Sequence, residues 1–187
     1  MKPVLAVLLC LFVVEGASFG AGPLAVTAVA LASGHFEADL QGYSGITARC
    51  TLTNVSDSTV EVVTMSAGFW GSWRIDPADE FTLPKWNCTR NFPSRYRLAP
   101  GQSVVFEFPV AAKKMGVSIS DRSLRLGFLD VKAPPHMTDE LVSELIGHPP
   151  MNAQIIWSDP LLIPKETGGV ILREGQCIEM ALSASGK

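Results

Sequence analysis

Residues 46–53 read Ile46-Thr47-Ala48-Arg49-Cys50-Thr51-Leu52-Thr53, an unbroken alternation. Ile46, Ala48, Cys50 and Leu52 fall on one phase, and Thr47, Arg49, Thr51 and Thr53 on the other. Successive side chains of a strand point to opposite faces, so a period of two makes one face apolar and the other wet. This stretch predicts a half-buried strand. It stops at Asn54-Val55-Ser56-Asp57-Ser58, where short polar side chains bond their own backbone and favour a turn. Residues 59–65 (TVEVVTM) then read as the returning strand of a hairpin.

The same period recurs on both sides of that segment. Residues 24–29 (LAVTAV) read as a first strand, and Val104, Phe106, Phe108 and Val110 alternate with Val105, Glu107 and Pro109. Leu124, Leu126 and Phe128 alternate with Arg125 and Gly127, and residues 96–103 (YRLAPGQS) read as strand, Pro-Gly turn, strand. Residues 155–163 (IIWSDPLLI) are the last apolar run, and Pro160 confines it to a sheet edge or to two short pieces. About seven short strands punctuated by turns predict an all-β chain, an immunoglobulin-like antiparallel β-sandwich. One segment, residues 138–146, predicts a helix. Thr138 is its N-cap, Asp139 and Glu140 suit its positive end, and Gly147 stops it. Lying between Pro134-Pro135 and Pro149-Pro150, it reads as a short helical insert between strands.

Composition narrows the function classes. Charged residues are 18% of the chain, below the usual ~25%, which excludes a disordered or charge-laced coiled-coil protein. Lys and Arg total 15 against 18 Asp and Glu, a net charge of −3. A nearly neutral, slightly acidic chain lacks the positive footprint that binding to nucleic acid requires. At the N-terminus, Lys2 precedes an apolar run at 3–14 (PVLAVLLCLFVV). As a helix that run would span about 18 Å, short of a ~30 Å hydrocarbon core. With small residues at Ser18 and Gly20, residues 1–20 predict a signal peptide cleaved before Ala21. The expected organisation is therefore a leader (1–20), a sandwich (21–165) and a C-terminal tail (166–187), secreted or periplasmic, with no membrane insertion once the leader is removed. Without Cys10, the mature chain keeps Cys50, Cys88 and Cys177, an odd number. At most one internal disulfide can form among them, and Cys50, on the apolar phase of its strand, also reads as a small buried hydrophobe.

The sequence Asn54-Val55-Ser56-Asp57 with Val60, a Trp-rich excursion, C-x-x-N at Cys88 to Asn91, L-x-P-G-x-S at Leu98 to Ser103, and a terminal IWSDPL resemble exported bacterial proteins with an immunoglobulin-like sandwich. The resemblance implies fold and export, and it brings no active site. It also implies a second Cys near the end of the strand before the excursion, as partner for Cys88. Ser66 and Ala67 stand there instead.

Chemistry-bearing patterns are sparse. Gly42-Tyr43-Ser44-Gly45-Ile46 approaches a nucleophile motif but ends in Ile46, and no strand-to-helix elbow follows. It reads as a glycine-rich turn. The three His residues are His35, His136 and His148, and Asp76, Asp79 and Glu80 form the densest carboxylate group. A hydrolase built on these is the weakest of the functional readings, and a non-catalytic role is expected. The irregular excursion at 66–93 is the most informative region. It holds Trp70, Trp73 and Trp86 with Phe69 and Phe81, and residues 85–97 carry Lys85, Arg90, Arg95 and Arg97 with no acid. Aromatic faces beside guanidinium forks suit an acidic glycan or a protein partner, so Trp70, Trp73, Trp86, Arg90 and Arg95 are the binding candidates. The competing account is packing, because a long loop across a sandwich needs large side chains to hold it down. His136-Met137 and His148 with Met151 flank the predicted helix and form a soft ligand set suited to copper, the alternative function. No other cofactor is implied.

Overall fold

The computed structural model describes residues 22–36, 42–66, 69–84, 92–165 and 169–170. The expected leader, Trp86, Cys88, Arg90, Cys177 and nearly all of the tail lie outside the described residues. In chain order the strands are β1 (Leu24–His35), β2 (Ser44–Asn54), β3 (Val60–Met65), β4 (Trp73–Asp76), β5 (Phe81–Thr82), β6 (Pro93–Leu98), β7 (Ser103–Ala112), β8 (Ser123–Asp130), β9 (Gln154–Trp157), β10 (Leu161–Leu162) and β11 (Gly169–Val170). A single α-helix, α1 (Asp139–Gly147), lies between β8 and β9.

One sheet has the order β11-β1-β2-β7-β5. Its register aligns the alternations that the sequence displays. Ile46 opposes Val110, Ala48 opposes Phe108, Cys50 opposes Phe106 and Leu52 opposes Val104. On the other side of β2, Val26 opposes Leu52, Ala28 opposes Cys50 and Ala30 opposes Ala48. All apolar sets therefore share the inner face. The outer face carries the Thr phase and the Arg49–Glu107 ion pair. β1 runs past the predicted Val29 to His35, through a bulge at Ala30/Ala32.

The opposing layer comprises the β3–β6 ribbon and the β10-β8-β4 sheet, with β9 also on β8. Val62, Leu98, Trp73, Leu124, Leu126 and Phe128 pack from this side into the same core as β1, β2 and β7. The result is an all-β sandwich with antiparallel pairing except at β1–β11. Pro160 does split its run into β9 and β10. Between them Ser158 keeps the register with β8, its N–H donating to the Leu126 carbonyl and its hydroxyl accepting from the Leu126 N–H.

Two expectations need correction. β2 and β3 do not form a hairpin, because both edges of β2 are taken by β1 and β7. The chain instead crosses to the opposing layer, and at 99–102 it crosses back. The buried Asn54 side chain links these corners. Its Nδ2 donates to the carbonyls of Ser58 (2.7 Å) and Leu98 (2.8 Å), and its Oδ1 accepts from the Ser56 N–H (2.9 Å) and hydroxyl (2.8 Å). Its backbone pairs with Gln102 and Gly101. Gly101 sits at φ +76, where a side chain would be strained. The excursion is also less irregular than its composition predicts. It contains a 3-10 turn at Phe69–Ser72 and the strands β4 and β5.

The helix forms where the sequence places it, with the Thr138 hydroxyl accepting from the Leu141 N–H. Val142 and Ile146 pack on Val63, Met65, Leu129 and Val131, the outer face of the second layer. The insert thus adds a third layer over the β3–β8 side.

Candidate functional site

Of the aromatic binding candidates, Trp73 is not displayed. Trp73 is 1% exposed, with its ring 5.2–5.5 Å from those of Phe106, Phe108 and Phe128. It is a core residue and cannot stack on a ligand, which corrects the binding assignment made from its neighbourhood in sequence. The period-two register of Trp73 and Ile75 against Phe128 and Leu126 is the signal that could have placed it. The backbone of Trp70 lies in the 3-10 turn.

Arg95 has an architectural contact set. It stands on the outer face of the β3–β6 ribbon and reaches across β3. Its Nη1 donates to Glu61 Oε1 (2.6 Å) and to the Ala133 carbonyl (3.2 Å), and Nη2 donates to the Pro134 carbonyl (3.2 Å). These bonds fasten the strap at 132–135, which leads from β8 toward α1. Fixing the strap there leaves a groove of about 610 Å³ between it and β3. One wall is made by residues 58–61 and Val63 and the other by Lys132, Ala133, Pro134 and Pro135, with Arg97 and Pro23 completing the lining.

The charged side chains lining the groove are Glu61, Arg97 and Lys132. Glu61 is neutralised by Arg95. Lys132 Nζ lies 2.6 Å from Asp130 Oδ2, with the carboxylate buried (3% exposed) and the lysine side chain 66% exposed. Arg97, cross-strand from Glu61, is exposed and makes no ion pair among the described residues. Counting the paired partners, three cations (Arg95, Arg97, Lys132) stand against two carboxylates (Glu61, Asp130), so the charge left over at the groove is that of Arg97. Arg97 came within the basic stretch noted in the sequence. Lys132 did not, because only the strap brings it to β3.

The other candidates are dispersed. Asp76 pairs with Arg125, which also lies over the Trp157 ring at 5.2 Å, and Glu80 pairs with Arg122. Glu80, Arg122, Asp79 and Lys114 line a smaller pocket of about 330 Å³ at the β5 end of the sandwich. Ser44 is buried at the start of β2, and His35 ends β1 in an exposed position. In the copper set, Met137 packs against the cluster under the helix, whereas His136 and His148 are exposed at opposite ends of α1. Nine helical residues set those ends about 13 Å apart. Met151 projects fully into solvent. Among the described residues no group of three His, Cys, Asp or Glu side chains could hold a metal ion. Cys50 carries a free thiol in the core, and burial pushes its pKa up.

No protein-family model matches the chain, and no curated protein matches it in sequence. No described helix is long and apolar enough to cross a membrane.

Proposed function

We propose that this chain is an exported, non-catalytic sandwich domain of the immunoglobulin-like kind, which binds an acidic glycan or protein partner in the groove between β3 and the strap. The observation that supports this reading is the groove itself. Arg95 and the Pro134-Pro135 pair hold it open, and Arg97 and Lys132 present exposed positive charge there on an acidic protein. Guanidinium groups grip carboxylate and sulfate in a bidentate fork, so the chemistry selects anionic chains. Arg95 serves as the pin of the strap and not as a ligand contact. This reading rests on the cationic half of the sequence expectation, and of the aromatic half it sets aside Trp73, which belongs to the core. The leader, with Lys2, its apolar run and Ser18 and Gly20, supports export.

The test is retention of the mature protein on immobilised polygalacturonate or dextran sulfate at low salt. Arg97→Glu should sharply weaken retention while leaving the unfolding free energy within about 0.5 kcal/mol of the parent, and adding Lys132→Gln should weaken it further at a cost in stability, because Lys132 partners the buried Asp130 carboxylate. Equal retention of the double variant would overturn the groove as the site. Intact-mass measurement of exported protein should find a chain beginning at Ala21, and retained Met1 would contradict export by cleavage.

A further inference from the structure

Apolar residues make up most of the groove lining. Val60 and Val63 stand on the β3 side, Pro134 and Pro135 on the strap side, with Ala133 and Pro23 beside them. Val60 is half-buried and both strap prolines are exposed, so the walls present apolar surface to an occupant. Each proline ring fixes its own backbone, and Arg95 holds the strap through the Ala133 and Pro134 carbonyls. Walls set in advance lower the ordering cost of binding. The groove volume of about 610 Å³ falls among the ~300–1,000 Å³ of sites that take a drug-sized ligand.

The charges along these walls nearly balance. Glu61 Oε1 accepts from Arg95 Nη1 at 2.6 Å, and Lys132 is engaged by the buried Asp130 carboxylate. Arg97, opposite Glu61 in the β3–β6 register, is exposed and has no carboxylate partner among the described residues. One positive charge is left over. A chain with an acid on every unit can place one of them on Arg97, but it brings the next toward Glu61.

We infer that the groove takes an apolar peptide segment of a partner protein that carries a single carboxylate. This rests on the reading of the groove as the binding site and specifies its occupant. The carboxylate, from a chain end or from an acidic side chain, meets the fork of the Arg97 guanidinium. The apolar side chains lie against Val60 and the Pro134-Pro135 wall, where leaving water favours them. Charge and apolar contact act together, so the segment stays bound under salt that strips a polyanion from a single exposed cation.

The experiment titrates the mature protein with four probes, at low ionic strength and at 1 M salt. Three are acetylated five-residue peptides of valine, proline and leucine: one with a free C-terminal carboxylate, one amidated, and one amidated with a central glutamate. The fourth is polygalacturonate. At least one carboxylate peptide should bind at both salt levels, the better one identifying the source of the acid, and the uncharged amide should bind about tenfold more weakly. Arg97→Gln should weaken the carboxylate peptides to the level of the amide. Pro135→Ser should weaken them several-fold at either salt level. Polygalacturonate should bind only at low salt, since exposed charges are screened over ~3 Å at 1 M, and Pro135→Ser should leave it unchanged. If the amide binds as well as the acids, or if Arg97→Gln or Pro135→Ser leaves the acids unchanged, the inference is overturned. Salt that releases the peptides as fully as polygalacturonate overturns it too. If polygalacturonate binds and no peptide does, the inference falls while the groove stands as a site for acidic chains. If no probe binds to folded protein, both fall.

Discussion

Asn54 carries the geometry that makes this chain a sandwich and not a meander, and its replacement by alanine tests that role quantitatively. Four side-chain hydrogen bonds of 2.7–2.9 Å are lost. Those to Ser56 and Ser58 lie near the surface, where water takes over, so their net loss is small. The Leu98 carbonyl is buried, and an orphaned buried acceptor costs about 1–3 kcal/mol. With about 1 kcal/mol for the remaining bonds together, Asn54→Ala should lose ~2–4 kcal/mol, a large share of the ~5–15 kcal/mol typical of a domain. Asn54→Asp should lose more at pH 7. It turns a carboxylate oxygen toward two carbonyls that now receive an N–H. Burial and those carbonyls raise the folded-state pKa of the introduced acid above its unfolded value of about 3.9. The extra deficit is therefore full above the raised folded pKa and narrows as pH falls from there toward the unfolded value. Urea unfolding followed by Trp fluorescence gives both numbers, with an unchanged denaturant slope confirming that stability alone has moved. A loss below ~0.5 kcal/mol for the alanine variant, the range of an ordinary surface change, would refute the corner-clamp argument. So would an aspartate variant whose deficit does not change with pH.

Trp73→Ala should cost ~3–5 kcal/mol, as for a large core truncation. Trp73→Phe should cost much less, because it also removes the buried Nε1 that has no partner; equal losses in calorimetry would contradict the core assignment. Gly45→Ala places a Cβ 2.2 Å from the Phe36 ring and 2.4 Å from the Val110 carbonyl oxygen, so unfolding should become easier by about 1–3 kcal/mol, the usual cost of overpacking. A neutral effect in urea melts would show that the approach of Phe36 to β2 is slack. Cys50, deprotonated only with difficulty in its apolar site, should not react with a chromogenic disulfide reagent until the protein is unfolded; labelling of Cys50 at the rate of a free thiol, located by peptide mapping, would place it nearer solvent.

Period-two alternation made most of the strands legible. The apolar phases of 46–52 and 104–110 are matched cross-strand partners, and Pro160 broke its run as proline chemistry requires. Pairing was not legible. A polar turn such as Asn54 to Ser58 looks the same whether the next strand returns beside its neighbour or crosses to the opposing sheet. The choice depends on β7, which arrives some fifty residues later and occupies the edge that β3 would need. The same distance problem hid the site. Arg95 and Arg97 were visible as a basic stretch, but Lys132 and the proline wall reach them only by tertiary packing of the insert. Trp73 was misjudged because a four-residue strand amid Gly, Pro and Asp leaves too short an alternation to separate core from loop.

The claim on which the functional account stands is that the groove between β3 and the strap is where an acidic chain binds. Mapping amide chemical-shift changes during titration with polygalacturonate tests it residue by residue. The account predicts that the largest changes fall on residues 58–63, Arg97, Lys132 and Ala133 and fade at high salt. Changes centred instead on Asp79, Lys114 and Arg122 at the β5 end, or no changes at all, would contradict it.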